Sequence, residues 1–137
     1  MEQLKAVFLN WDGRLNRIQY FGYSVATILA ALFLIMILVA IGSANNAAAA
    51  IAFLFGTVVF AFYAYAGMTI TVKRLHDIGF GAINVLWIWL INFSSGAFSG
   101  VNNTISILFS IVGIGISLYL LFAPGVAGTN QYGDQPE

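Results

Sequence analysis

The chain has 137 residues, 61% hydrophobic and 7% charged, with a formal net charge of zero and a mean hydropathy of +0.91. Soluble domains carry about 25% charged residues, so this chain could not cover a water-facing globule, and it has no basic run to attract nucleic acid. It has no cysteine, which excludes disulfides and thiolate metal sites.

Long apolar runs satisfy their own backbone hydrogen bonds in lipid only as helices. The expected fold is therefore all-α: one membrane domain over residues 1–137, a polytopic helical bundle of four spans preceded by a short interfacial helix. In that helix Phe8, Trp11, Leu15, Ile18 and Phe21 alternate with Asn10, Asp12, Arg14, Asn16, Arg17 and Gln19, and Asp12 is the candidate cap.

The first span is expected at residues 20–42 and the second at 47–72, separated by the polar turn Ser43-Ala44-Asn45-Asn46. The third, 80–98, is the weakest, because its apolar core is short and holds Asn84 and Asn92; a re-entrant or interfacial segment is its competitor. The fourth, 105–123, ends at Pro124-Gly125, and an irregular tail covers 124–137. Small residues at helical spacing mark packing seams: Ala52, Gly56, Tyr63, Gly67 and Thr71 in the second span, and Ser106, Ser110, Gly113 and Ser117 in the fourth. No expected span holds Asp, Glu, Lys, Arg or His, which argues against ion-coupled transport.

All five cations, Lys5, Arg14, Arg17, Lys73 and Arg74, flank the first two spans on one face, together with Glu2, Asp12 and Asp77. The preference of Lys and Arg for the cytoplasm places both termini there, with Asp134 and Glu137 returning to the same side.

The segment Lys73-Arg74-Leu75-His76-Asp77-Ile78-Gly79-Phe80-Gly81 is the most distinctive. Arg74 and Asp77 are three apart and suited to pairing on one helix face, and Arg17 is a second candidate partner for Asp77. The structural reading is a topology anchor and a fixed turn. The functional reading is a basic pocket for phosphate or an anionic lipid headgroup, built by Arg14, Arg17, Lys73 and Arg74. Asp12, His76 and Asp77 are capable of acid–base chemistry, yet no spacing singles out a nucleophile, and one histidine does not make a metal site. No catalytic residue, metal or cofactor is expected.

Three pieces carry a resemblance: Gly13-Arg14-Leu15-Asn16-Arg17 with Tyr20-Phe21, Arg74-Leu75-His76-Asp77-Ile78-Gly79, and Gly128-Thr129-Asn130-Gln131-Tyr132-Gly133. With them the chain resembles a bacterial inner-membrane family catalogued as domain of unknown function 805. Lys73 stands where that family usually has arginine, and Phe80-Gly81-Ala82-Ile83 where it usually has a Ser-Gly-Trp-like run. The resemblance implies a helical inner-membrane protein and supplies no activity.

In the four-span arrangement all three pieces fall on the cytoplasmic face. Arg14, Arg17, Lys73, Arg74, His76, Asp77, Asn130 and Tyr132 would then converge, with the tail folded back so that Asn130 or Tyr132 bonds to the Arg74–Asp77 turn. The expected role is structural or accessory, with lipid, a membrane-protein partner or a second copy as partner. A small-solute channel or transporter formed by self-association is the alternative, and a membrane enzyme acting on lipid is the third reading.

Overall fold

The computed structural model describes residues 2–136, with side chains from Lys5 onward; Glu137 and the side chain of Glu2, counted above among the acids of one face, lie outside it. The helices are α1 (Glu2–Leu9), α2 (Arg17–Gly42), α3 (Asn46–Asp77), α4 (Asn84–Phe98) and α5 (Asn103–Phe122), and no strand occurs among the described residues. Three of them, α2, α3 and α5, are long and apolar enough to cross a membrane. With 15 residues, α4 is about 22 Å long at 1.5 Å per residue, short of a roughly 30 Å hydrocarbon core.

Asparagine starts three of the helices. The Asn45 side chain accepts from Ala48 N–H at 2.9 Å to open α3, and Asn102 accepts from Ile105 N–H at 3.2 Å to open α5. At α2 the cap is reciprocal: Asn16 Oδ1 accepts from Gln19 N–H at 2.8 Å while Gln19 Oε1 accepts from Asn16 N–H at 3.2 Å. This differs from the expected interfacial helix starting at Asp12. Helix α1 ends at Leu9, and residues 10–16 are not helical. Gly13 has φ +93°, and Leu15 N–H donates to Lys73 O at 3.2 Å, so this backbone pairs with α3 instead of with itself.

Residue packing divides the chain into two compact units, one of residues up to Trp11 with Phe21–Ile70, the other of Asp12–Tyr20 with residues from Thr71 on. In the first, Tyr65 Oη donates to Leu9 O at 3.1 Å, the Trp11 ring lies 6.2 Å from that of Tyr65, and Phe8 meets Tyr23 edge-on at 5.7 Å. At Gly56 a Cβ would touch Leu38 Cδ1 at 3.5 Å, so this seam position is a helix–helix contact. Most of the first unit's surface is apolar: α2 has no buried residue, and Ile28, Leu29, Leu32, Phe33, Met36 and Val39 are each more than half exposed. Such a surface would be unstable in water and is matched to hydrocarbon.

The second unit contains the α4–α5 pair. The Ser95 and Ser110 hydroxyls are bonded at 2.6 Å, and Ser106 Oγ donates to Ser95 O at 2.8 Å. A Cβ on the buried Gly113 would lie 2.9 Å from Asn92 Oδ1. Ser117 Oγ donates to Gly113 O on its own helix at 2.9 Å. The fourth-span seam thus joins α5 to α4 through close approach and hydroxyl bonds. Because the chain has no native thiol, this is directly measurable: cysteine at Ser106 or Ser110 is expected to resist a membrane-impermeant maleimide, whereas cysteine at the 82% exposed Val101 reacts. Rapid labelling at all three would show a water-lined seam instead.

Candidate functional site

The site begins with how α3 stops. Its last four carbonyls have no partner further along the helix, and every one is satisfied. Arg74 O accepts from Ile78 N–H, Leu75 O from Phe80 N–H, His76 O from Gly79 N–H, and Asp77 O from Val126 N–H, at 2.8–3.2 Å. The Phe80-to-Leu75 and Gly79-to-His76 pair, with Gly79 at φ +88°, is a Schellman stop, which needs the left-handed conformation that glycine adopts without strain. The motif therefore lies in the last helical turns of α3, and only Gly79 onward is the turn.

That stop positions Asp77, whose side chain takes one guanidinium on each oxygen. Arg74 Nη1 donates to Oδ2 at 2.5 Å from one turn back on the same helix. Arg14 approaches from the non-helical N-terminal segment, with Nε donating to Oδ1 at 3.1 Å and Nη2 lying 3.0 Å from the same oxygen. Arg74 is 0% and Asp77 2% exposed, and Arg14 is buried as well.

Both guanidiniums also bond main-chain carbonyls. Arg74 Nε donates to Leu120 O at 2.6 Å and Nη2 to Ala123 O at 2.5 Å. These belong to the C-terminal end of α5, where the helix dipole favours a cation. Arg74 Nη1 also reaches Leu15 O at 3.5 Å. Arg14 Nη1 donates to Gly128 O at 2.6 Å and Gly133 O at 3.3 Å, and Nη2 to Val126 O at 2.5 Å. One carboxylate and two guanidiniums thereby tie together the N-terminal segment, the end of α3, the end of α5 and the tail.

The tail folds onto the motif. Asn130 Nδ2 donates to His76 O at 3.0 Å, and the Tyr132 ring stacks on the His76 imidazole at 3.8 Å with 2° between planes. His76 Nδ1 lies 3.2 Å from Gly13 O, a hydrogen bond that requires the Nδ1–H form. The tail carries its own turn, closed by the reciprocal Asn130–Gly133 backbone pair and by Thr129 Oγ1 donating to Asp134 Oδ1 at 2.9 Å.

Of the eight residues named from sequence, Arg14, Arg74, His76, Asp77, Asn130 and Tyr132 form this one connected assembly. Lys73 is buried beside it and accepts from Leu15 N–H through its main-chain oxygen. Arg17 is exposed at the first turn of α2 and does not pair with Asp77; Arg14 holds that place. Sequence reasoning missed the carbonyls of Leu120, Ala123, Val126, Gly128 and Gly133, since main-chain oxygens leave no mark in a sequence. Gly125 did leave one: a Cβ there would lie 2.9 Å from Asp77 Cγ and closer still to Oδ2, so the glycine after Pro124 is required by contact as well as by the helix stop.

These features define an all-helical protein with three apolar helices compatible with membrane insertion and a buried Arg–Asp–Arg clip that closes its C-terminal tail. The chain belongs to the family described as protein of unknown function (DUF805), whose model matches residues 8–134 and so includes the clip and the tail turn. Neither the curated proteins nor the solved structures gave a match.

Two substitutions test the clip. Asp77→Asn leaves two buried guanidiniums without their carboxylate and is expected to cost about 3–5 kcal/mol, read as a lower unfolding midpoint in detergent and faster proteolysis of the tail. Gly125→Ala forces a methyl against a carboxylate held on both sides and is expected to cost about 1–3 kcal/mol. Wild-type midpoints for both would show that the clip does not hold the fold.

Proposed function

We propose that the chain is a bacterial inner-membrane protein of structural or accessory role, crossing the bilayer four times with both termini cytoplasmic and presenting its charged face to lipid headgroups or to another membrane protein. The observation that carries the structural part is the commitment of Arg14 and Arg74. Their donors serve Asp77 and main-chain carbonyls, and no buried side-chain nitrogen or oxygen among the described residues lacks a partner. A group arranged for chemistry or for an exchanging ligand is better served by an open donor. The basic pocket expected from four cations is reduced accordingly, because two of them are internal fasteners.

The topology draws support from the same bonds. Val126, Gly128 and Asn130 bond to Arg14, Asp77 and His76, so the tail and the end of α3 share one face. From that end the chain passes through α4 and α5 and returns, which requires an even number of crossings. With α5 long enough to span, α4 provides the other crossing; local bilayer thinning or flanking aromatic residues accommodate its shortness at a modest cost. Lys5, Arg14, Arg17, Lys73 and Arg74 then obey the positive-inside preference.

Compartment reporters fused after Asn45, Gly79, Gly100 and Asn130 are expected to alternate: outside, inside, outside, inside. A reporter at Asn130 on the side opposite Gly79 would overturn the four-span topology.

A further inference from the structure

The charge of the clip does not balance. Arg14 and Arg74 bring two positive charges to one carboxylate, and Asp77 is their only ion-pair partner among the described residues. The carbonyl end of α5 offsets part of the excess, since a helix terminus amounts to about half a charge. A net positive charge is left inside a poorly solvated cluster, where it favours an anion nearby.

A cleft of about 230 Å³ opens beside this cluster, and Arg17, Asn16, Asp77, Gly125 and Gln135 are among its lining. Arg17 is exposed, unlike Arg14, Lys73 and Arg74. The Asn16–Gln19 capping box fixes the turn that carries it. Gln135 Oε1 already accepts from Gly128 N–H at 2.8 Å, so what this side chain can offer a ligand is its Nε2 donors. The one carboxylate in the lining is engaged by two guanidiniums and does not repel an anion as a free carboxylate would. Pro124 and Pro136 complete the lining with apolar surface, and Ile18, next to Arg17 in sequence, is 75% exposed.

Resting on the membrane reading above, we infer that this cleft binds the phosphate group of an anionic ligand, with Arg17 as its donor fork and the net positive clip behind it. A planar guanidinium suits bidentate contact with phosphate oxygens. The neighbouring apolar surface selects a phosphate that carries an acyl chain, namely a phospholipid headgroup with net negative charge, over a zwitterionic one. The clip supplies field and not contact, so the site is lost through Arg17 without loss of the fold.

The test is native mass spectrometry of the full chain in neutral detergent with added phosphatidylglycerol, phosphatidylcholine or inorganic phosphate, for wild type and Arg17→Gln. One phosphatidylglycerol per chain is expected to be retained over phosphatidylcholine, and Arg17→Gln weakens it about tenfold or more at an unchanged unfolding midpoint. Displacement of phosphatidylglycerol by inorganic phosphate, again dependent on Arg17, supports the phosphate site and assigns it to a soluble source. Equal retention by wild type and Arg17→Gln, or of both lipids alike, overturns the site. The membrane topology is read separately by the compartment reporters, so either idea can fail alone.

Discussion

One carboxylate shared by two buried guanidiniums sets the terms for half of this molecule. Removing three charges from water costs several kcal/mol per ion, and mutual attraction offsets that cost only where geometry is good and the remaining donors are satisfied. Both conditions are met here. Arg14 donates through Nε, Nη1 and Nη2 to Asp77 and three tail carbonyls, and Arg74 does the same toward Asp77, Leu15, Leu120 and Ala123. Each guanidinium acts as a planar multi-point fastener, a role lysine's point charge fills poorly. Lys73, one residue before Arg74, is buried, and its main-chain oxygen accepts from Leu15 N–H.

The glycines follow from the clip. Asp77 must sit at the end of α3 to meet Arg14, so the helix must stop within two residues, and Gly79 makes that stop. The chain leaving α5 must pass against the Asp77 carboxylate, so position 125 has no room for a side chain. Gly13 and Gly128 adopt positive φ on either side of Arg14's contacts, which lets two irregular segments turn their carbonyls toward His76 and Arg14. The three sequence pieces that mark the family are therefore one physical object. The first supplies Arg14, the second Arg74 and Asp77, and the third the carbonyls and the ring that close over them.

What the sequence made legible divides along the same line. Hydrocarbon-length apolar runs are a bulk property of composition, and α2, α3 and α5 lie close to where those runs do. The Arg74–Asp77 pair was readable because both residues lie on one helix at a fixed spacing. The partner of Asp77 from outside that helix was not: Arg14 and Arg17 are close in sequence, and it is the non-helical course of residues 10–16 that brings Arg14 to Asp77, while Arg17 is exposed at the first turn of α2. The expected interfacial helix capped by Asp12 departs from the structure for a related reason. Its amphipathic spacing is real, but Leu15 is buried while its N–H donates to the Lys73 carbonyl on α3, so a non-helical segment buries a residue that the helical pattern also marks as apolar. The carbonyl acceptors on the tail and on α5 have no side-chain signature at all.

The polar contacts of α4 and α5 show why serine and glycine in a membrane helix are poor evidence for a pore. In hydrocarbon, apolar side chains gain nothing by leaving lipid for a neighbouring helix, so association relies on close approach and on hydrogen bonds that lipid cannot offer. Ser95, Ser106 and Ser110 form such bonds, and Gly113 gives Asn92 room against the α5 backbone. A water-filled path would draw on the same residue types, with their hydroxyls turned to water and not to a partner helix. The distinction lies in where the hydroxyls donate. Here they donate within α5 and to α4, so the serine seam is accounted for by contacts inside the second unit.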